Sequence, residues 1–308
     1  MTDPKAAGCI CYVPKVFTPD HLRVIEWMEA VLGEFKGYKL TVRQLYYQLV
    51  ARDLIKNNQN SYNRIVNIAG DARLAGVLPW TAFEDRGRNL RGHRTYNNAQ
   101  DSFIEACDRY KVDLWAGQPY RPEVWVEKQA LEGVIGEICN ELRVDFFATK
   151  GYNSLSEQWA AGQRMARYVQ KGQTPIIFHF GDLDPSGWDM TRDNRERLSM
   201  FAGVPVTVVR LGLNMDQVQQ YSPPPNWVKV NGYGEYSDSR AKAYVREFDT
   251  EMSWELDALS PRVIHDIIRE NVMRLRDEEL WDEKMEEEDM DIRFMRGIID
   301  ENFREDRA

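Results

Sequence analysis

A chain of 308 residues, 43% hydrophobic and 29% charged, can bury roughly two domain-sized cores, which excludes a disordered polymer. Its apolar runs are too short to cross a membrane and Met1 to Lys15 lacks the order of a signal peptide, so a cytoplasmic protein is expected. The formal charge of −9 argues against a nucleic-acid partner only if charge is evenly spread, and it is not. Arg43, Arg52, Lys56, Arg64, Arg73, Arg86, Arg88, Arg91 and Arg94 crowd residues 43 to 94, whereas Asp and Glu dominate 277 to 291. Cys9, Cys11, Cys107 and Cys139 lack the spacing of a metal site and read as free thiols.

After an irregular tail over 1–17, Thr18-Pro19 predicts a helix start, with Leu22, Ile25, Met28, Leu32 and Phe35 on one face and Gly37 as its stop. A second helix is predicted from Thr41 or Val42 to about Leu54. A third, opened by Ser61, runs to Ala75 with Ile65, Ile68, Ala69 and Ala72 inward. A strand over Val77 to Phe83 and the arginine-rich stretch Glu84 to Arg94 follow. Three helices, a strand and a basic loop is the order of a winged-helix module, and also of a small helical domain with no nucleic-acid role. A helix near Ala99 to Tyr110 ends this unit, 18–115, and 116–122, with Gly117, Pro119 and Pro122, is expected as a linker.

From Glu123 strands alternate with helices. Strands are predicted at 124–126, 145–148, 175–180 and 206–211, and helices at 128–142, 153–169 (Ser154 and Glu157 at capping-box spacing) and 188–200. This is α/β grammar, a parallel sheet covered on both faces over 123–215, with ligands at the carboxyl ends of its strands. Residues 216–308 loosen through Tyr221-Ser222-Pro223-Pro224-Pro225 and close in helices. Their acidic end reads as a solvated face, with a partner-binding role as the alternative.

Glu127, Lys150-Gly151 and Gly181-Asp182-Leu183-Asp184-Pro185-Ser186-Gly187 fall at those strand ends. Asp182 and Asp184, two apart in extended chain, can present both carboxylates to a hard cation such as Mg²⁺, or can form an ordinary turn. Glu127 is a candidate third ligand or general acid/base, and otherwise a helix-opening surface glutamate. In Arg43-Gln44-Leu45-Tyr46-Tyr47 the helical period places Tyr46 on the apolar face and Arg43 with Tyr47 on another. Tyr47 then reads either as a nucleophile whose phenolate Arg43 stabilises or as a packed aromatic. Lys150 beside Gly151 before a capped helix suits an anion, and equally a strand-to-helix turn.

In combination these motifs resemble the topoisomerase VI A-subunit and meiotic double-strand-break protein family, over about residues 20 to 275. Glu127-Lys128, Thr149-Lys150-Gly151-Tyr152 and Gly181 to Gly187 match its Toprim domain, and Arg43 to Tyr47 match the catalytic helix of its winged-helix domain. The resemblance implies Tyr47 as the nucleophile on double-stranded DNA, Arg43 as its companion, and Glu127, Asp182 and Asp184 as the Mg²⁺ ligands. It also implies Glu127 as the proton carrier and a homodimer in which each tyrosine serves its partner's metal site. The chain contains no recognisable GHKL ATPase module, so strand passage would need a separate B-type subunit. A Toprim nuclease that activates water, and a catalytically silent DNA-binding subunit, are the alternatives.

Overall fold

The computed structural model describes residues 9–35, 38–83, 93–149, 154–230 and 235–303. Three helices, α1 (Pro19–Glu34), α2 (Val42–Ala51) and α3 (Gln59–Leu74), come first, and α4 (Ala99–Arg109) follows. Each start is chemically marked. Thr18, Thr41, Asn58 and Asn98 accept a backbone N–H of the following turn, and Thr41 with Gln44 completes a capping box. The predicted cap at Ser61 is thus Asn58, whose Oδ1 accepts from the Ser61 N–H at 2.9 Å. On α1 the buried face is Val24, Ile25, Met28 and Val31, while Leu22 is exposed. The inward set predicted on α3 is the one buried.

The predicted strand at 77–83 is not formed. The N–H groups of Val77 and Leu78 both donate to the Ala72 carbonyl to close α3, and Pro79, which has no N–H, leads into a 3₁₀ turn at Trp80–Ala82. Phe83 makes only an isolated parallel bridge to Leu40. The stretch 84–92 lies outside the described residues, so no wing is seen among those that are described.

The second half is α/β: a four-stranded parallel sheet flanked by helices. Its strands are β1 (Tyr120–Val126), β2 (Asp145–Ala148), β3 (Thr174–Phe180) and β4 (Thr207–Gly212), in the order β2-β1-β3-β4. The crossovers are α5 (Glu132–Glu141), α6 (Leu155–Gln170) and α7 (Pro185–Ala202). Period-two alternation sorts the side chains. Val124, Val126, Phe178 and Phe180 join one core with α5 and Ile264, Ile268 and Val272, whereas Trp125, Ile177 and Val208 join the other with Met165 of α6 and Leu198 of α7. Helices α6 and α7 approach so closely that a Cβ at Gly162 would lie 2.4 Å from that of Phe201.

The expected linker does not behave as one. Residues 120–122 are already strand, and Gln118 is buried, exchanging hydrogen bonds with the backbone of Asp277. After β4 come α8 (Met215–Tyr221), a two-residue pairing of β5 (Asn226–Trp227) with β6 (Met252–Ser253), α9 (Ala241–Phe248), α10 (Pro261–Met273) and α11 (Glu278–Phe303). The acidic helix α11 is largely solvated but docks on α4: Tyr110 donates to Asp291 at 2.6 Å, and buried Glu288 takes Lys111, Arg143 and the Val112 N–H. No helix among the described residues is long and apolar enough to cross a membrane.

His179 on β3 is fully enclosed, its Nδ1 2.8 Å from Thr191 Oγ1. Burial first, then Arg210, pulls its imidazole down to about 3. The unfolded chain binds a proton below about pH 6.5 that the fold refuses, so this residue costs stability as pH falls through the window from 6.5 toward 3. In urea titrations His179→Gln should lose less stability than the parent between pH 6.5 and 4, by on the order of a few kcal/mol. Equal slopes would mean that the imidazole is not kept neutral.

Candidate active site

The strand order reverses between β1 and β3, and that is where a parallel sheet opens a crevice at its carboxyl end. Glu127 follows β1 there, its N–H donating to the Phe180 carbonyl at 2.9 Å, and Gly181 to Asp184 follow β3. The Asp182 N–H donates to Glu127 Oε2 at 3.1 Å. Burial first, then Asp182 and Asp184, pushes the Glu127 carboxyl up to about 7. Burial likewise lifts Asp182 to about 6, against the pull of Lys128. Gly187 is required by this crowding, since a Cβ there would stand 2.8 Å from Glu127 Oε2 and 2.4 Å from the Asp182 carbonyl oxygen.

Asp184 is the N-cap of α7. Its Oδ1 accepts from the Gly187 N–H at 2.6 Å and from Ser186 Oγ at 2.9 Å. Glu127 and Asp182 are therefore brought together, while Asp184 is turned toward its own helix. Among the described residues no group of three or more His, Cys, Asp or Glu side chains stands ready to hold a metal ion. Asp182 Oδ1 is engaged instead by the Leu256 N–H at 2.8 Å and by Lys128 Nζ at 3.0 Å.

Lys128 is the hub that sequence reading missed as a separate player. Its ammonium also reaches Glu255 Oε2 at 2.9 Å and Asp257 Oδ1 at 3.1 Å. Burial opposes its charge, but Asp182, Asp257 and Glu255 outweigh burial and raise its pKa. Glu255 and Asp257 went unnoticed although Glu255-Leu256-Asp257 repeats the acid-x-acid spacing of Asp182 and Asp184. They arrive because the Leu183 and Trp254 backbones exchange hydrogen bonds at 2.8 and 2.9 Å, and because Tyr244 donates to the Leu183 carbonyl.

The tyrosine helix reaches the same acids. Arg43 Nε lies 3.0 Å from Asp257 Oδ2, and Nη2 donates both to Glu255 and, at 3.1 Å, to the Tyr47 oxygen. Burial favours the neutral Glu255 acid, yet Lys128 and Arg43 pull its carboxyl down to about 2. The predicted pairing of Arg43 with Tyr47 is thus present. Tyr47, which the sequence leaves open as an available nucleophile or a packed aromatic, is 5% exposed, and burial followed by Asp257 and Glu255 pushes its phenol up. Tyr46 is buried as expected and donates to Asn57 Oδ1 at 2.9 Å. The 3₁₀ turn Leu256–Ala258 packs Ala258 into the core of α1 to α3, which fixes tyrosine and acids in one chain. A cavity of about 670 Å³, lined by Arg43, Lys128, Asp182, Asp184 and Glu255 among others, opens above them.

Of the expected DNA contacts, Arg64 is ion-paired with Asp20, and Arg73 lies over the rings of Trp80 and Phe83 at 5.0 and 4.8 Å, a structural placement. Arg86, Arg88 and Lys150 lie outside the described residues. Thr149 beside Lys150 is buried, its hydroxyl donating to the Glu127 carbonyl. Comparison with protein-family models, with curated proteins and with solved structures finds no match to this chain.

Arg210 of β4 holds the acidic loop from beneath, donating to the carbonyls of Gly181, Asp182 and Gly187 at 3.0, 2.6 and 2.7 Å. Burial pulls its guanidinium down to about 10, although Glu127, Asp182 and Asp184 oppose this. Arg210→Met should cost at least about 3 kcal/mol in urea unfolding, since three carbonyls lose a charged donor, with Arg210→Lys intermediate. A loss below about 1 kcal/mol would show that the loop stands without it.

Proposed function

We propose that this chain cuts and rejoins double-stranded DNA through Tyr47, as a topoisomerase VI A-like enzyme in which a winged-helix unit presents the tyrosine to a Toprim-type acidic crest. The observation that carries this reading is the Arg43 side chain. It bonds the Tyr47 oxygen and ties it to Glu255, which shares Lys128 with Asp182. Arg43 and Glu255 belong to the wall common to the cavity that Tyr47 lines and the one that Lys128, Asp182 and Asp184 line. A four-stranded parallel sheet with acids at its switch point is compatible with a Toprim-like core.

Tyr47 attacks the phosphorus, the bond to the 3′-oxygen breaks, and a 5′-phosphotyrosyl link forms. The phenol passes its proton to water, the Glu127 carboxylic acid gives its proton to the departing 3′-oxygen and is left as carboxylate, and rejoining runs the steps backward. Arg43 and Lys128 are the cations that can grip the phosphate once it displaces Glu255 and Asp257. Mg²⁺ belongs to this reading: Glu127 and Asp182, already brought together, would hold it, with Asp184 added only on turning from its place as the cap of α7, and the ion when bound would supply positive charge against the phosphate oxygens. The exchange of tyrosines between partners that the resemblance implies would require Tyr47 to leave the Arg43–Glu255 link that holds it beside acids of its own chain. A homodimer, a separate B-type ATPase subunit wherever strands are passed, and a cytoplasmic, DNA-associated location otherwise belong to this reading.

The burial of Tyr47 and its raised phenol favour a second reading, a metal-dependent nuclease in which water attacks and the tyrosine only packs. Supercoiled plasmid incubated with the protein and Mg²⁺ and then denatured distinguishes the two. DNA held on protein until protease is added, and reduced by roughly two orders of magnitude in Tyr47→Phe, is the expected result. Protein-free nicks that persist in Tyr47→Phe and vanish in Asp182→Asn would replace the transesterification with hydrolysis.

A further inference from the structure

Beside the acidic crest lies a second cavity of about 240 Å³, which shares Arg43, Asn226 and Glu255 with the larger one. Its remaining lining is of another kind: the rings of Tyr46, Tyr47 and Tyr62 and the side chains of Asn57, Asn58 and Gln59, with no aliphatic residue. Tyr46 meets Tyr47 and Tyr62 with ring centroids 5.2 and 5.3 Å apart, so the three aromatics brace one another. The amides are braced as well. Tyr46 donates to Asn57 Oδ1, and Asn57 Nδ2 donates to Asn226 Oδ1 at 3.2 Å, bridging the tyrosine half of the molecule to the sheet half. An amide nitrogen carries two protons, so Asn57 keeps a second one beyond that bridge.

Flat rings, amide edges and charge confined to the shared wall are the recognition chemistry of a planar, uncharged, polar ring. Such a ring stacks on an aromatic face and reads out by hydrogen bonds along its edge. Since Tyr46 and Tyr47 are buried, the part-exposed Tyr62, braced edge-on by Tyr46, is the ring that offers that face. The charged residues of the shared wall are Arg43 and Glu255. We propose that this cavity takes one nucleobase, drawn out of its stack, from the nucleotide adjoining the phosphodiester engaged at Arg43 and Lys128. The inference rests on the reading of the larger cavity as a DNA site and adds a single-position base preference to it. The cost of unstacking is lowest at a mismatched or already unpaired base, so a mismatch at that position should be bound more tightly than a matched pair.

The test uses the full chain carrying Tyr47→Phe, which keeps the ring, in buffer with EDTA and no divalent cation so that neither tyrosine nor metal-activated water cuts, with duplexes in which one 2-aminopurine is stepped along the sequence. Anisotropy reads binding, and 2-aminopurine emission reads unstacking. Binding with an emission change at one position is expected. Asn57→Ala and Tyr62→Leu, made separately and shown by urea unfolding to keep the fold because Tyr62 packs against the core of α1 to α3, should abolish that change while weakening Kd by about ten-fold or less. Binding with no emission change at any position, or a change that survives both substitutions, overturns the base pocket and leaves the DNA site standing. Absence of binding to every duplex overturns the DNA reading and the pocket with it.

Discussion

The guanidinium of Arg210 is the interaction on which the site depends. The acid-bearing loop after β3 turns the carbonyls of Gly181 and Asp182 inward and the first turn of α7 adds that of Gly187, the Gly181 carbonyl also accepting the Leu213 N–H at 2.7 Å. One planar cation with several fixed N–H groups serves all three, and Thr191 and the Leu213 carbonyl take what remains of its capacity. The same positive charge lies beneath Glu127, Asp182 and Asp184, so it offsets part of the repulsion that gathering carboxylates creates. Loop geometry and tolerance of acid crowding thus have one source, on a strand distant in sequence from both.

Local chemistry made most of the second half readable. Val124-Trp125-Val126 and Ile177-Phe178-His179-Phe180 alternate between two cores, and Ser154 with Glu157 marks a helix start, so β1, β3 and α6 follow from nearest-neighbour rules. The strand predicted at 77–83 failed because the N–H groups of Val77 and Leu78 were already committed to ending α3, a backbone demand that side-chain pattern does not display. Glu127, Asp182, Arg43 and Tyr47 were visible as strand-end acids and as a helical pair. Glu255, Asp257 and Arg210 were not, because their roles come from tertiary contacts. Leu183 must bridge Trp254, and β4 must lie beside β3, before any of the three has a partner. Asp184 was visible as an acid but not as the cap of α7, a role its spacing to Gly187 permits and Pro185 at the first helical position favours.

The two halves of the molecule are joined at the site by an apolar anchor and a polar seam. Ala258 enters the core of α1 to α3. Around it, Arg43 pairs with Glu255 and Asp257, and Asn57 pairs with Asn226. The cations that would grip a phosphodiester are thereby kept in place, and kept neutralised, by carboxylates of the same chain. An entering anion does not meet bare positive charge. It competes with two acids already there.

Asp184 carries a quieter consequence. Its Oδ1 is committed to the first turn of α7 through Gly187 and Ser186, yet the residue also lines the 670 Å³ cavity. One oxygen serves the helix and the other is left for whatever enters. A guest that engages Oδ1 as well competes with the Gly187 N–H and the Ser186 hydroxyl, a cost on the order of one helix cap, about 1 kcal/mol. Binding at this carboxylate and the start of α7 are thereby coupled through one oxygen.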